Sequence, residues 1–256
     1  MIRLSRVSST ILLAGAPPLL WLSLTWPPSA TAWIARSLWA MLYLPVFLVA
    51  AIRFFNPRTS AMMMWIRARG EVRDPVGRNE APYRWRDLSG ISKSMWLAAI
   101  AGEDAYFAFH DGFDWESIRA AIEFNKTSRE KRGASTITQQ LAKNLFLWPG
   151  RSLLRKVIEA YLTLLLEGLC SKRRILELYL NLAQFDSRVF GVEAAARRFL
   201  RKPAAELTEQ EAALLAAVLP NPEIYRADHP SHLVRFRQAM ILANMKRLGE
   251  GYLAAL

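Results

Sequence analysis

The chain has one cysteine, Cys170, and three histidines among 256 residues. A single thiol excludes an internal disulfide, and so few soft ligands argue against a zinc site of the Cys/His type. No H-E-x-x-H pair and no glycine-rich phosphate loop occurs, which removes two common hydrolase and nucleotide-binding signatures. The first 58 residues hold five arginines but no lysine and no acidic residue. Over the whole chain the formal net charge is +12, so anionic partners are expected: phosphates, acidic lipids or nucleic acid. Charge alone does not choose among them.

What the N-terminal region does contain is two apolar stretches. Residues 37–52, "SLWAMLYLPVFLVAAI", lie between Arg36 and Arg53. With the apolar residues before Arg36 they approach the roughly 20 residues that cross a bilayer, and one interior proline is tolerable there. This predicts a transmembrane helix over about residues 34–55, within a membrane-anchoring region 1–56, followed by a second domain over 57–256. Residues 10–26 are interrupted by Pro17-Pro18. They fit a second span, a re-entrant segment or an interfacial one equally well. They also resemble a signal-peptide core after Arg3 and Arg6, without a small-x-small cleavage site behind them. Arginines flank both stretches, so the positive-inside rule leaves the orientation open.

The length suits one sizeable domain plus an appendage. "FNPRTSAMMMWIRARG" interleaves apolar and basic residues, as an interfacial segment does. Beyond it, helical periodicity prevails over alternation: "SKSMWLAAIAGEDAYF", "WESIRAAIEFN", "STITQQLAKNLFL", "RSLLRKVIEAYLTLLLEGLC", "RRILELYLNLA", "GVEAAARRFL", "TEQEAALLAAVL" and "HLVRFRQAMILANMKRLG". The polar run "KTSREKRG" reads as a loop. Thr208 and Glu211 form a capping box with Leu207 placed as its staple. No solenoid repeat is present. The predicted class is all-α, irregular rather than a simple bundle.

"AIAGEDAYFAFHDGFDW" sets Glu103 and Asp104 among aromatics and small residues. On a helix Glu103, Phe107 and His110 would share a face, and Gly112 would end it. A carboxylate packed against aromatics loses solvation, which raises its pKa toward that of a useful proton acceptor. An exposed Glu-Asp pair at a helix end explains the same residues equally well. In "GASTITQQLAKN", Thr136-x-x-Gln139 fits a capping box, and the helix start offers free N–H groups to an anion. Thr136, Gln140, Lys143 and Asn144 would follow on one face; a capped, solvated helix is the plain alternative.

Glu159 has Arg155 at i−4 and Lys156 at i−3, with Arg151 one turn earlier. An intrahelical salt bridge accounts for this trio, although the flanking sequence is strongly apolar. Tyr179 and Asn181, behind Lys172, Arg173 and Arg174, read as structural. Ser128-x-x-Lys131 mimics a penicillin-binding motif but lacks its S-D-N and K-T-G partners. Asn125-Lys-Thr127 is a glycosylation sequon only in a host that uses it. His229 and His232 read as surface residues.

Taken in order, these motifs resemble the peptidoglycan glycosyltransferases, both the monofunctional biosynthetic transglycosylases and the glycosyltransferase domain of class A penicillin-binding proteins. E-D-x-x-F-x-x-H-x-G is met by Glu103, Asp104, Phe107, His110 and Gly112, and G-x-S-T-I-T-Q-Q-x-x-K-N from Gly133 through Asn144. R-K-x-x-E is met by Arg155, Lys156 and Glu159, and "SKRRILELYLN", "FGVEAAARRFL" and "LTEQEAALLAAVLPNP" match later helices. The similarity covers roughly residues 57–250. No transpeptidase domain follows, so the monofunctional form is the nearer match. After Asn181 the family reaches a glycine where this chain has "FDSRVFG", with Asp186.

The resemblance implies a lysozyme-like glycosyltransferase domain with an N-terminal membrane anchor, polymerising lipid II into glycan strands. Glu103 would be the general base and Glu159 would act at the pyrophosphate with its cations. Asp104, Phe107, His110, Ser135, Thr136, Gln140, Lys143, Asn144, Arg151, Arg155 and Lys156 would bind substrate, with Asp104 and His110 also supporting the fold. It implies no required cofactor; a divalent cation (Mg or Mn) at the pyrophosphate stays open, without a dedicated cage. Partners would be lipid II, the growing strand, membrane lipids and other cell-wall synthases, not nucleic acid. The place would be the bacterial cytoplasmic (inner) membrane, with the catalytic domain on the periplasmic side. Two rivals remain: a lysozyme-like hydrolase or lytic transglycosylase, which needs an acid at the glycosidic oxygen, and a non-catalytic basic membrane protein with salt-sensitive binding and no turnover.

Overall fold

Hydroxyl side chains start most of the helices, each accepting a hydrogen bond from the N–H three residues on, which is how an N-cap satisfies an orphan donor. A computed structural model describes residues 30–69, 83–128, 133–150 and 152–256. The apolar stretch at 10–26, Arg151 and part of the polar run after Ser128 lie outside the described residues. The first helix, α1, is Ala30–Phe54. Ser60 caps α2 (Ala61–Ala68) and Ser92 caps α3 (Lys93–Glu103). Asp114 caps α4 (Trp115–Thr127), and Thr136 caps α5 (Ile137–Phe146). Ser152 and Ser171 cap α6 (Leu153–Leu169) and α7 (Lys172–Leu182). After α8 (Val192–Ala195), Thr208 caps α9 (Glu209–Val218) and Ser231 caps α10 (His232–Leu248). Both expected capping boxes, Thr136 with Gln139 and Thr208 with Glu211, form with reciprocal bonds.

The molecule is mostly helical, with a short hairpin, β1 (Gln184–Asp186) against β2 (Val189–Phe190), inserted after α7. Strands this short cannot display the alternation that marks a strand in sequence. Asp186 ends β1, and its Oδ1 accepts from the N–H of Ser187, the first residue of the hairpin's turn, at 2.6 Å.

At the centre runs α3, buried from Met95 to Ala101. It is covered by α9 and α10, whose Ala212–Val218 run and Val234, Ile241 and Met245 are buried too. Gly102 lets α10 come close: a Cβ there would lie 3.0 Å from Ile241 Cδ1. On the other side α5 packs against α6 and α7.

Among the described residues, no helix is long and apolar enough to cross a membrane. The 25-residue α1 buries Tyr43, Val46 and Val49 against the body and exposes Trp33, Ile34, Met41, Leu42, Leu44, Phe47, Leu48 and Phe54. Tyr161 on α6 donates to the carbonyl of Leu42. Arg174 on α7 donates to the carbonyls of Ile52, at 2.7 and 2.9 Å, and Phe55, at 2.9 Å. Those carbonyls lie at the helix C-terminus, where a cation also meets the negative end of the dipole.

Candidate active site

The helix expected to carry Glu103, Phe107 and His110 on one face stops at Glu103 itself. Asp104 leaves it with φ −162°, and Phe107–Phe109 form a separate 3-10 turn. The physical reason is a competing partner. Asp104 Oδ2 accepts from the backbone N–H of Ile137 at 3.0 Å, at the start of α5, where a carboxylate also meets the positive end of the helix dipole. Its Oδ1 lies 2.8 Å from His110 Nε2. His110 Nδ1 accepts from Gly112 N–H at 3.1 Å, so the proton belongs on Nε2 and points at Asp104. Phe107 is fully buried, with the Lys172 ammonium 4.6 Å from its ring centroid. That ammonium also donates to the carbonyl of His110 at 2.6 Å and to Glu167 at 2.9 Å. Asp104, Phe107 and His110 thus form a wall behind Glu103, their polar atoms engaged with the protein.

Glu103 is left at a helix end, yet its side chain is only 8% exposed. Gln140 Nε2, one turn into α5, donates to Oε2 at 2.7 Å. The Gln140 carbonyl accepts from Tyr179 Oη at 3.1 Å. Oε1 is buried and, among the described residues, has no hydrogen-bond partner. Its nearest cation is Arg237 of α10, 3.8 Å away. Burial pushes the carboxyl up to about 7, against the lowering pull of Gln140, Arg237 and Lys143. A carboxylate half ionised at neutral pH with one free lone-pair edge suits a proton acceptor.

Glu159 is 3% exposed and doubly paired. Arg155 Nη1 donates to Oε2 at 2.9 Å and Lys156 Nζ to Oε1 at 2.5 Å. The Lys156 ammonium also reaches Ser135 Oγ, at 3.4 Å, just before α5 begins. Lys143, one turn beyond Gln140 on α5, is electrostatically coupled to both carboxylates. Burial holds its ammonium below the usual value; Glu159 and Glu103 oppose that, while Arg155 and Lys156 add to it. Among the described residues no side chain pairs with its Nζ. A half-buried, unpaired ammonium beside two more cations is preorganised positive charge, ready for an anion.

Of the other expected residues, Thr136 is buried, its hydroxyl donating to the carbonyl of Gly112 at 2.7 Å. Ser135 is exposed and Asn144 half-buried on α5. Tyr179, read as structural, is fully buried but orients Gln140; Asn181 clamps the chain entering α3 through both the N–H and the carbonyl of Arg86, each at 2.7 Å. Arg237 was not singled out in the sequence. Its signal is an arginine set within the buried stripe of Val234, Ile241 and Met245. Among the described residues, no group of three or more His, Cys, Asp or Glu could hold a metal ion.

Residues 70–246 match the model of the family described as Transglycosylase. The chain is 57% identical over 174 residues to a biosynthetic peptidoglycan transglycosylase of Mannheimia succiniciproducens, covering 68% of this chain and 71% of that protein. With the protein of the same name from Pasteurella multocida the identity is 48% over 216 residues, covering 84% and 88%. With that from Shewanella oneidensis it is 44% over 218 residues, covering 85% and 92%.

Proposed function

This chain belongs to the transglycosylase family, and from that premise we propose that Glu103 is the base of its sugar-transfer reaction. The protein is a peptidoglycan glycosyltransferase that builds glycan strands, so its substrates are lipid II and the strand itself. In the reaction proposed, the 4-hydroxyl of the acceptor sugar meets the free Oε1 edge of Glu103 and gives up its proton there. The oxygen forms a bond to the donor's anomeric carbon from the face opposite the leaving group, inverting that centre. The bond from that carbon to the pyrophosphate oxygen breaks, and undecaprenyl pyrophosphate departs with the electron pair.

Negative charge grows on the pyrophosphate, and Lys143, Lys156 and Arg155 are the cations fixed where it would be received. Glu159 holds the last two by its paired oxygens, and Ser135 accepts from Lys156; Asn144 and Arg151 are assigned to the same set by their place in the sequence. Asp104, His110 and Phe107 act from behind, by fixing the start of α5 and hence Gln140. A divalent cation would find both Glu159 oxygens already held by protein cations, so these residues do not fit one and no step is routed through it. The cation cluster also speaks against a glycan hydrolase, which has no pyrophosphate to stabilise.

Strand synthesis places the protein in the cell envelope. We assign residues 1–56 to membrane anchoring and 57–256 to the catalytic domain, on the periplasmic side of the cytoplasmic membrane. The support is the exposed apolar face of α1 and a sequence from Trp33 to Phe55 whose only charges are Arg36 and Arg53. Membrane lipids, and other synthases of the wall, are the neighbours this position implies.

One observation carries the reading: a buried carboxylate with a free oxygen, electrostatically coupled to an unpaired lysine. Purified full-length protein incubated with labelled lipid II is expected to form polymer. Glu103→Gln is expected to form none while keeping its circular dichroism; polymer at near-normal rate, or release of fragments from finished peptidoglycan instead, overturns it.

A further inference from the structure

The free oxygen of Glu103 faces Arg237, a cation outside the sequence stretches from which the site was read. Arg237 sits on α10, one helical turn before Ile241, whose side chain presses on Gly102 immediately before Glu103. Positions i and i+4 share a helix face, so the contact that seats Ile241 on α3 also aims Arg237 at the end of α3. Its Nη2 lies 3.8 Å from Glu103 Oε1, too far for a hydrogen bond and close enough for an ion pair. Its Nε donates to the carbonyl of Ala217 at 3.3 Å, near the end of α9. The guanidinium is therefore tethered at one edge, and the other faces the carboxylate.

We propose that Arg237 is a positioning residue for the transfer reaction, holding Glu103 ionised and turned toward the acceptor while leaving Oε1 free to take a proton. The proposal rests on the reading of Glu103 as base. The spacing matters chemically. A guanidinium bonded directly to Oε1 would occupy the lone pair that the acceptor hydroxyl needs and would make the carboxylate a poor base. At 3.8 Å the charge still favours the ionised form, and the lone pair stays open.

The other groups facing Glu103 define what Arg237 adds. From α5 come the Gln140 amide and the Lys143 ammonium; from α7, the neutral Tyr179 hydroxyl behind Gln140; from its own helix end, Asp104, which opposes ionisation. Lys143 is shared with Glu159. Arg237 is the cation that approaches from the side of α10.

The test is the pH profile of polymerisation of lipid II by the full chain. Arg237→Gln is expected to move the acid limb of kcat/KM upward by about one pH unit, a loss of about tenfold at pH 6.5 that shrinks above pH 8. Arg237→Lys is expected to restore most of that shift. Gln238→Ala removes a neighbouring tie, from Gln238 Nε2 to the carbonyl of Gln210 at 2.8 Å, and is expected to leave the profile in place. An acid limb unmoved in Arg237→Gln, or moved equally by Gln238→Ala, overturns the proposal. Glu103→Gln separates this from the underlying reading: if that variant polymerises, the base assignment fails. If it is inactive while Arg237→Gln leaves the limb in place, only the role of Arg237 falls.

Discussion

Tyr179 orients Gln140. Its hydroxyl gives its proton to the Gln140 carbonyl, which leaves the amide nitrogen, and not the oxygen, turned toward Glu103. A glutamine flipped the other way would set an acceptor against a carboxylate, two groups with no proton between them. The hydrogen bond that steadies the base is thus fixed two residues back, in the core.

That arrangement makes Glu103 costly to the fold when ionised. Its carboxyl rises from 4.5 to about 7 in the native state, so between those values the unfolded chain releases a proton that the folded chain keeps. Stability then falls as pH rises from about 4.5 to about 7 and is level beyond. The size by linkage is about 3 kcal/mol. Glu103→Gln removes the effect. In urea titrations the variant is expected to gain on the parent protein by more at pH 8 than at pH 5, the two gains differing by about 1–3 kcal/mol. An equal gain at both values would contradict it.

Glu159 carries the opposite expectation. Removing it leaves Arg155, whose side chain is 11% exposed, and whose Nε already lacks a partner among the described residues, without its counter-charge. Breaking a buried pair in this way costs about 3–5 kcal/mol. Glu159→Ala should therefore lower the urea midpoint strongly and reduce polymer formation by about 10²-fold or more. Glu159→Gln, which keeps an acceptor, should lose less stability.

Gly112 closes the first motif at φ +88°, and a Cβ there would stand 2.6 Å from Thr163 Cγ2 and 3.0 Å from Glu167 Cγ. Gly112→Ala is expected to cost about 2–3 kcal/mol, from the left-handed backbone and the clash together. Thr163→Ser deletes the offending methyl and keeps the hydroxyl that donates to the carbonyl of Glu159 at 2.7 Å. Combined with Gly112→Ala it should recover part of the loss, a coupling readable as about 1 kcal/mol in a double-mutant cycle of urea midpoints.

Much of this was legible in the chain because the signals were local. Thr136 and Thr208 with their N3 partners announced helix starts, and the Arg155-Lys156-Glu159 spacing announced a one-sided trio. The reach of the helix past Glu103 was misjudged for a reason outside any local window: Asp104 leaves it to cap a helix that begins 33 residues later. The hairpin at Gln184–Phe190 escaped because two- and three-residue strands carry no period. Arg237 escaped because its meaning depends on Gly102, more than a hundred positions away, letting α10 approach.

Arg174 and Tyr161 bolt α1 to the globular body at two separated heights along its length. A helix gripped that way is a bracket and not a leash. With α1 seated in the bilayer as proposed, the altitude of Glu103 above the lipid headgroups is set by the bracket, and the newly made polymer has to travel while the catalyst keeps still.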